Sequence, residues 1–277
     1  MRFDFALPTN ISSLTGIANA FFNSLKFHSL ALSNMPQLSA VIITYNEERN
    51  IGRCLDSLEG VVDDVVVVDS FSTDNTIQIC ESKGARVVSH AFKGHIEQKN
   101  WAITQAKYPN ILSLDADEAL GDELRKSIIA LKQNWEFDGY RMNRLSNYCG
   151  HWIKHGGWYP DTKLRLWDSR KGQWGGNNPH DKFELFDPLA QTGKLKGDIL
   201  HYSYYTRQEH VERTIKYGEI GAKALKAQNI SVKWWKKWLN PPFKFFRNYV
   251  LKLGFLDGAD GLYIARQAMI ETRIKYS

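Results

Sequence analysis

The feature that most constrains this chain is a set of short apolar runs that stop at polar residues. Leu38–Thr44 runs into Tyr45-Asn46-Glu47, residues 65–68 into Asp69-Ser70, and residues 111–114 into Asp115-Ala116-Asp117; a shorter run spans 86–89. The runs are apolar on both faces, as buried parallel strands require. Between them lie helical signals. Ile51, Leu55 and Leu58 share a helix face, and Ser72-Thr73-Asp74 offers N-cap residues for a helix that Gly84 stops after Lys83. Further helices are predicted over 96–106 and 122–133. Strands and helices alternating at this spacing make βαβ units, hence an α/β fold with a mostly parallel sheet flanked by helices. In such sheets the ligand crevice opens beyond the carboxyl ends of the strands. The three polar clusters therefore converge on one rim.

The length of 277 residues fits one large α/β domain with appendages, and 43% hydrophobic residues suffice for a core. After Gly139 the texture changes to Arg, Trp, Tyr, His and Gly, with short strands predicted over 139–143 and 163–167 and helices over 207–226 and 263–274. Residues 1–36 carry a weakly apolar stretch without a basic start or a cleavage pattern, and are read as a poorly structured or dispensable extension. That leaves a central domain over 37–230 and a distinct segment over 231–277. Cys54, Cys80 and Cys149 are far apart with no CxxC, which argues against a disulfide scaffold or a zinc site and fits a reducing cytosol.

The formal charge of +6 points to an anionic partner, and its distribution is uneven. Residues 231–252 hold six Lys or Arg, no acid and seven aromatics. Phe243, Phe246, Val250 and Leu253 recur at helical spacing, the pattern of C-terminal amphipathic helices lying on an anionic membrane surface. A nucleic-acid surface has the same charge signature, but no nucleic-acid-binding motif is present, so no nucleic-acid partner is expected. No run of about 18 apolar residues exists to span a bilayer.

Asp115-x-Asp117 places two carboxylates at a strand end, where they can share a hard cation that keeps positions open for phosphate oxygens. Asp69 suits the donors of a nucleotide base, because Ser72 or Asp74 suffices as a helix cap. Lys99-Asn100 faces the same rim, and Lys99 suits a phosphate as a point charge. His155, His180 and His201 each have an ordinary reading as hydrogen-bonded core or rim histidines, and Trp158-Tyr159 as core aromatics.

Thr44-Tyr45-Asn46-Glu47-Glu48-Arg49-Asn50-Ile51, Val67 to Thr76 and Asp115-Ala116-Asp117-Glu118 together resemble the family 2 glycosyltransferases with the GT-A fold. Asn147-Tyr148-Cys149-Gly150, His155 to Asp161, Arg165-Leu166-Trp167, Pro179-His180-Asp181 and His201 to Tyr204 are similar to bacterial lipopolysaccharide inner-core β-1,4-glucosyltransferases. The resemblance covers about 38–276. It implies a UDP-sugar donor, a divalent cation (Mn²⁺ or Mg²⁺), inversion at the anomeric carbon and a lipid-linked glycan acceptor, with glucose going to a heptose of the inner core. It also implies a cytoplasmic enzyme peripheral to the inner face of the cytoplasmic membrane. Thr44, Tyr45, Asn46, Glu47, Asp69, Lys99, Asn100 and Asp115 would bind the donor, and Asp117 and His201 the metal. His155, Trp158, Asp161, Arg165 and His180 would lie on the acceptor side.

Inversion in a single displacement needs a base on the acceptor hydroxyl. The family usually shows His-Glu where this chain has His180-Asp181. Asp181 and Glu184 are the catalytic candidates, and Asp161 is a rival. Two further readings stay open: a polyprenyl-phosphate acceptor, and a non-catalytic nucleotide-sugar or glycan-binding protein of the same fold. A nucleotidyltransferase is disfavoured because Thr44 to Glu47 contains no glycine.

Overall fold

The valine- and isoleucine-rich runs form the centre of the sheet because each can be buried from both sides. The computed structural model describes residues 35–177, 180–228 and 232–277, so the expected extension over 1–36 lies almost wholly outside the described residues. Strand β1 (Leu38–Thr44) is flanked in parallel by β2 (Asp64–Asp69) and β4 (Asn110–Asp115), with β3 (Arg86–Ser89) beyond β2. The register sets Thr44 beside Asp69 and Ile43 beside Asp115, so these strands end level with one another. Alternate residues serve the two faces. Ala40, Ile42 and Val67 pack with helices α1 (Ile51–Leu58), α2 (Thr76–Ser82) and α4 (Asp122–Leu131). Val41, Val66 and Val68 pack with Trp101 and Ala102 of α3 (His95–Ile103). Each fully buried aliphatic side chain contributes roughly 1.5–3 kcal/mol, and the β-branched residues favour the extended backbone as well.

The chain then extends the sheet by mostly antiparallel pairings. After β5 (Glu118–Leu120) and α4, β6 (Gly139–Tyr148) pairs with β8 (Asp161–Asp168), which pairs with β4. The short β7 (His151–Ile153) folds back on β6. Strand β11 (Thr192–Tyr204) runs parallel to β6 and antiparallel to β5, giving the order β3-β2-β1-β4-β8-β6-β11-β5. A bulge in β11 between Lys194 and Asp198 contains Gly197 at φ +86, where a Cβ would meet the Leu124 backbone nitrogen at 2.3 Å. Only glycine lets the strand cross the start of α4 so closely. Strands β9 (Gly172–Asn177) and β10 (His180–Leu185) form a separate ribbon. Trp167 stacks on Phe183 at 3.8 Å and meets Trp174 edge-on at 5.5 Å, fixing that ribbon to β8.

Helix α5 (Arg207–Ala227) starts at a capping box between Thr206 and Glu209. Helix α6 (Trp234–Phe246) contains Pro241 and Pro242, is continued by a π-type turn over Arg247–Leu251, and leads to α7 (Gly258–Lys275), which packs on both α5 and α6. The expected helical stripe therefore breaks before Leu253, whose backbone is left-handed at φ 57. The last helix also begins five residues earlier than Tyr263. Among the described residues no helix is long and apolar enough to cross a membrane. Cys54 and Cys80 are buried free thiols, and Cys149 is exposed at the β6–β7 turn.

Candidate active site

The turn after β4 is built around Glu118, which is fully buried. Its Oε2 accepts from the Asp115 N–H (2.9 Å), while the Asp117 carbonyl accepts from the Tyr202 N–H of β11 (2.9 Å). These bonds bring Asp115 and Asp117 to the mouth of a cleft of about 470 Å³, lined also by Thr44, Tyr45, Glu47, Lys99, Asp181 and His201.

Lys99 is the centre of the electrostatics. Its ammonium is almost wholly buried and lies 2.9 Å from Asp115 Oδ1, 2.8 Å from Asp181 Oδ2, and 4.4 Å from the centre of the Trp174 ring. Arg165, also buried, reaches Asp115 (2.9 Å) and Glu118 (2.8 Å). Burial alone pushes the Asp115 carboxyl up, but the Lys99 ammonium and the Arg165 guanidinium outweigh it and hold the group well below the usual carboxylate range. The same carboxylates push Arg165 above its ordinary value despite the cost of burying it. Burial raises Glu47 against the hydrogen bond from Asn50 Nδ2 (2.7 Å), and both Asp117 and Arg213 are near enough to act on it.

His201 Nε2 is 3.2 Å from Asp117 Oδ2. Its Nδ1 is engaged by Ser203 Oγ (2.7 Å) and Ser146 Oγ (3.3 Å), which orient the ring so that Nε2 faces the carboxylate. An oxygen and an imidazole nitrogen on one side of an open cleft fit Mn²⁺ or Mg²⁺, with phosphate oxygens completing the shell. Among the described residues no group of three or more His, Cys, Asp or Glu side chains is disposed to hold a metal ion. Thr44 Oγ1 is buried at the same wall with no hydrogen-bond partner among the described residues.

A second cavity of about 700 Å³ shares Lys99, Asp115, Arg144 and Asp181 with the first and extends past Arg165 and Trp174 to Arg141 and Glu184. The three acids considered as bases stand in different settings. Asp181 faces both cavities. Glu184 is half exposed in the second and paired with Lys182 at 2.7 Å. Asp161 is pushed up by burial but held below its ordinary value by Arg144 (2.7 Å) and Lys163 (3.0 Å).

Several expected site residues also make contacts that hold the scaffold together. Asn46, at φ 51, accepts from the Thr73 N–H (2.8 Å) and so ties the loop after β1 to the loop after β2. Asp69 is buried and accepts from the N–H (2.8 Å) and hydroxyl (2.5 Å) of Ser72. Asn100 exchanges two hydrogen bonds with the Trp174 backbone, both 2.9 Å, clamping β9 to α3. His155 pairs with buried Asp257 (2.9 Å), and Trp158 packs edge-on against Tyr148 at 5.9 Å. Both lie at the junction with the C-terminal helices. Only the backbone of His180 is given; its side chain lies outside the described residues. In the other direction, Arg144 of β6 and Arg213 and Tyr217 of α5 line the first cleft. Arg213 makes no carboxylate ion pair among the described residues and sits over the Tyr204 ring at 4.9 Å. Only the spacing of Arg213 and Tyr217, one helical turn apart on a helix of otherwise solvated character, could have signalled that they act together.

The family model for glycosyl transferase family 2 matches residues 39–189, and the chain belongs to that family. It is a glycosyltransferase with the α/β architecture expected of one. An uncharacterized glycosyltransferase of Rickettsia bellii (strain RML369-C) is 30% identical over 243 residues, covering 81% of this chain and 80% of its own length. The lipopolysaccharide core biosynthesis glycosyltransferase LpsC of Rhizobium meliloti (strain 1021) is 29% identical over 224 residues, covering 76% and 80%. Among solved structures, residues 1–349 of S. aureus TarS in complex with UDP match 86% of this chain and 89% of that chain, at 17% identity and a TM-score of 0.45.

Proposed function

We propose that this glycosyltransferase moves a hexose, glucose by the resemblance to inner-core enzymes, from a UDP-sugar to a lipid-linked saccharide with inversion. The carrying observation is that the Asp117–His201 pair and the Asp181 carboxylate line one cleft, joined through Asp115 and Lys99. Asp117 and His201 would hold Mn²⁺ or Mg²⁺, which when bound neutralises charge developing on the departing diphosphate. Thr44, Tyr45 and Glu47 form the donor-side wall, and Arg213 offers a planar fork to the diphosphate. Asp181 accepts the proton of the acceptor hydroxyl as that oxygen attacks the anomeric carbon from the face opposite the leaving group. Lys99 fixes the direction in which the Asp181 carboxylate points. The likeness to LpsC supports a lipopolysaccharide-core acceptor.

The assignment is tested by Asp117→Ala. Expected are loss of transfer and loss of Mn²⁺-dependent UDP binding in calorimetry, with an unchanged unfolding transition. Unaltered Mn²⁺-dependent UDP affinity would falsify the metal assignment.

A peripheral membrane location follows from the same reading. Trp234 (76% exposed), Trp238 (71%) and Phe243 (58%) stand on α6 beside Lys236, Lys237 and Lys244. Each cation near an anionic surface contributes about 1 kcal/mol, and buried indole adds to it. Co-sedimentation with anionic vesicles should weaken with salt and disappear when Lys233, Lys236, Lys237, Lys244 and Arg247 are replaced by Gln. A wild type that ignores such vesicles at low salt defeats this location.

A further inference from the structure

We propose that the second cavity is the acceptor chamber and that it selects a saccharide carrying an acidic group, phosphate or carboxylate, held at Arg141 and Lys163. The proposal rests on the transfer reading above and adds the chemical class of the acceptor.

The chamber meets the donor cleft at Asp181 and Lys99, so a hydroxyl placed against Asp181 belongs to a molecule whose remainder fills the second cavity. Its volume of about 700 Å³ lies within the range of small-ligand sites and leaves room beyond a single sugar ring. The walls divide by chemistry. Leu185, Pro188 and Ala190 give an apolar side suited to the C–H face of a pyranose. The far rim is polar and spans three neighbouring strands: Arg141 on β6, Thr162 and Lys163 on β8, and Thr192 at the start of β11.

The cations there differ in how far they are already neutralised. Arg144 is paired with Glu118 and Asp161, and Lys182 with Glu184. Lys163 shares Asp161 with Arg144. Arg141 has no carboxylate partner among the described residues; its Nε donates only to Thr192 Oγ1, at 3.1 Å. An exposed guanidinium with no carboxylate partner among the described residues, beside the Lys163 ammonium at a cavity rim, is a receptor for a planar or tetrahedral oxyanion. A solvated surface arginine would give no preference for saccharides, which is where the experiment discriminates.

The probes are glucose, glucose 6-phosphate, glucuronic acid and inorganic phosphate, titrated by NMR into the full chain with and without UDP and Mn²⁺. Wild type should bind both acidic sugars at least about tenfold more tightly than glucose, the difference expected of a hydrogen bond to a charged group. Arg141→Gln with Lys163→Gln should reduce that ratio to near unity while UDP affinity is unchanged, and Arg141→Lys should keep part of it. Equal binding of acidic and neutral sugars by wild type, or a preference that survives the double replacement, overturns the proposal. Inorganic phosphate binding as tightly as glucose 6-phosphate overturns it too, since that describes an anion site without sugar recognition. Loss of UDP binding by the wild type would instead count against the transfer reading, and the sugar ratios would still report on the chamber.

Discussion

The two halves of the sheet contribute opposite charges to the cleft. The parallel strands β1 to β4 deliver Asp115 and Asp117 at their carboxyl ends, and α3 adds a single buried cation, Lys99. The region after Gly139 delivers Arg144, Arg165, His201 and Arg213, together with Asp181 on the β9–β10 ribbon. The two halves share one apolar core, since Tyr140, Met142, Leu166 and Ile199 pack with the strands of the first half, and the second adds ion pairs and stacked aromatics to that contact. The difference teaches that Asp115 and Asp117 come from neighbouring strand ends of one local unit, whereas the groups answering them are positioned by long-range contacts.

The sharpest division to test is that the second half governs turnover while the first governs donor binding. Asp181→Asn keeps size and removes the proton acceptor, so kcat should fall by roughly 10²–10⁴-fold with UDP affinity unaltered. Glu184→Gln, in the outer chamber, should leave kcat within a few-fold. The reverse pattern in steady-state kinetics would assign the base to Glu184.

A second comparison concerns stability. His210 is buried against Tyr148 and Tyr204, and burial, with a lesser push from Arg213, lowers its pKa from 6.5 to about 4. The neutral ring is therefore favoured in the folded state. Its stabilisation is complete above pH 6.5 and is lost as pH falls toward 4, by about 3 kcal/mol in all. Urea unfolding from pH 7.5 to 4.5 should show this loss in wild type and a flatter profile in His210→Gln. Equal slopes would remove His210 from the account.

Arg213 is the place where the division could break, because it would bring the C-terminal helices into donor binding. Arg213→Gln should weaken UDP about tenfold while leaving uridine unchanged, as expected when one charge-assisted contact to the diphosphate is removed. Equal losses for both ligands would mean that Arg213 shapes the wall and does not touch phosphate.

Legibility in the sequence followed the same boundary. Ile42, Val67 and Leu112 sit in runs that any buried parallel strand would show, so β1, β2 and β4 could be read almost to the residue, and with them the D-x-D turn. Thr192–Tyr204 could not. It mixes lysines with Gly193 and Gly197 and bulges twice, and its pairing with β6 and β5 is set by distant partners. The lone histidines illustrate the limit: His201 lies beside Asp117 and His155 beside Asp257, and nothing adjacent to either in sequence separates the two outcomes. Asp69 and Asn46 show a further limit, because loops that shape a ligand crevice need internal hydrogen bonds from the same residue types that bind ligands.

Helix α5 has a practical bearing on protein engineering. It carries Arg213 and Tyr217 into the cleft and packs against α7, which in turn carries α6 with its exposed tryptophans. The exposed aromatic surface of α6 and a wall of the first cleft are thus one mechanical piece. A shortened enzyme cut at the end of the family match near residue 189 would lose β11 and His201, and one cut after β11 would still lack the side of the first cleft formed by Arg213 and Tyr217. Solubility is better sought by recolouring the surface of α6, with Trp234 and Trp238 made polar, than by shortening the chain.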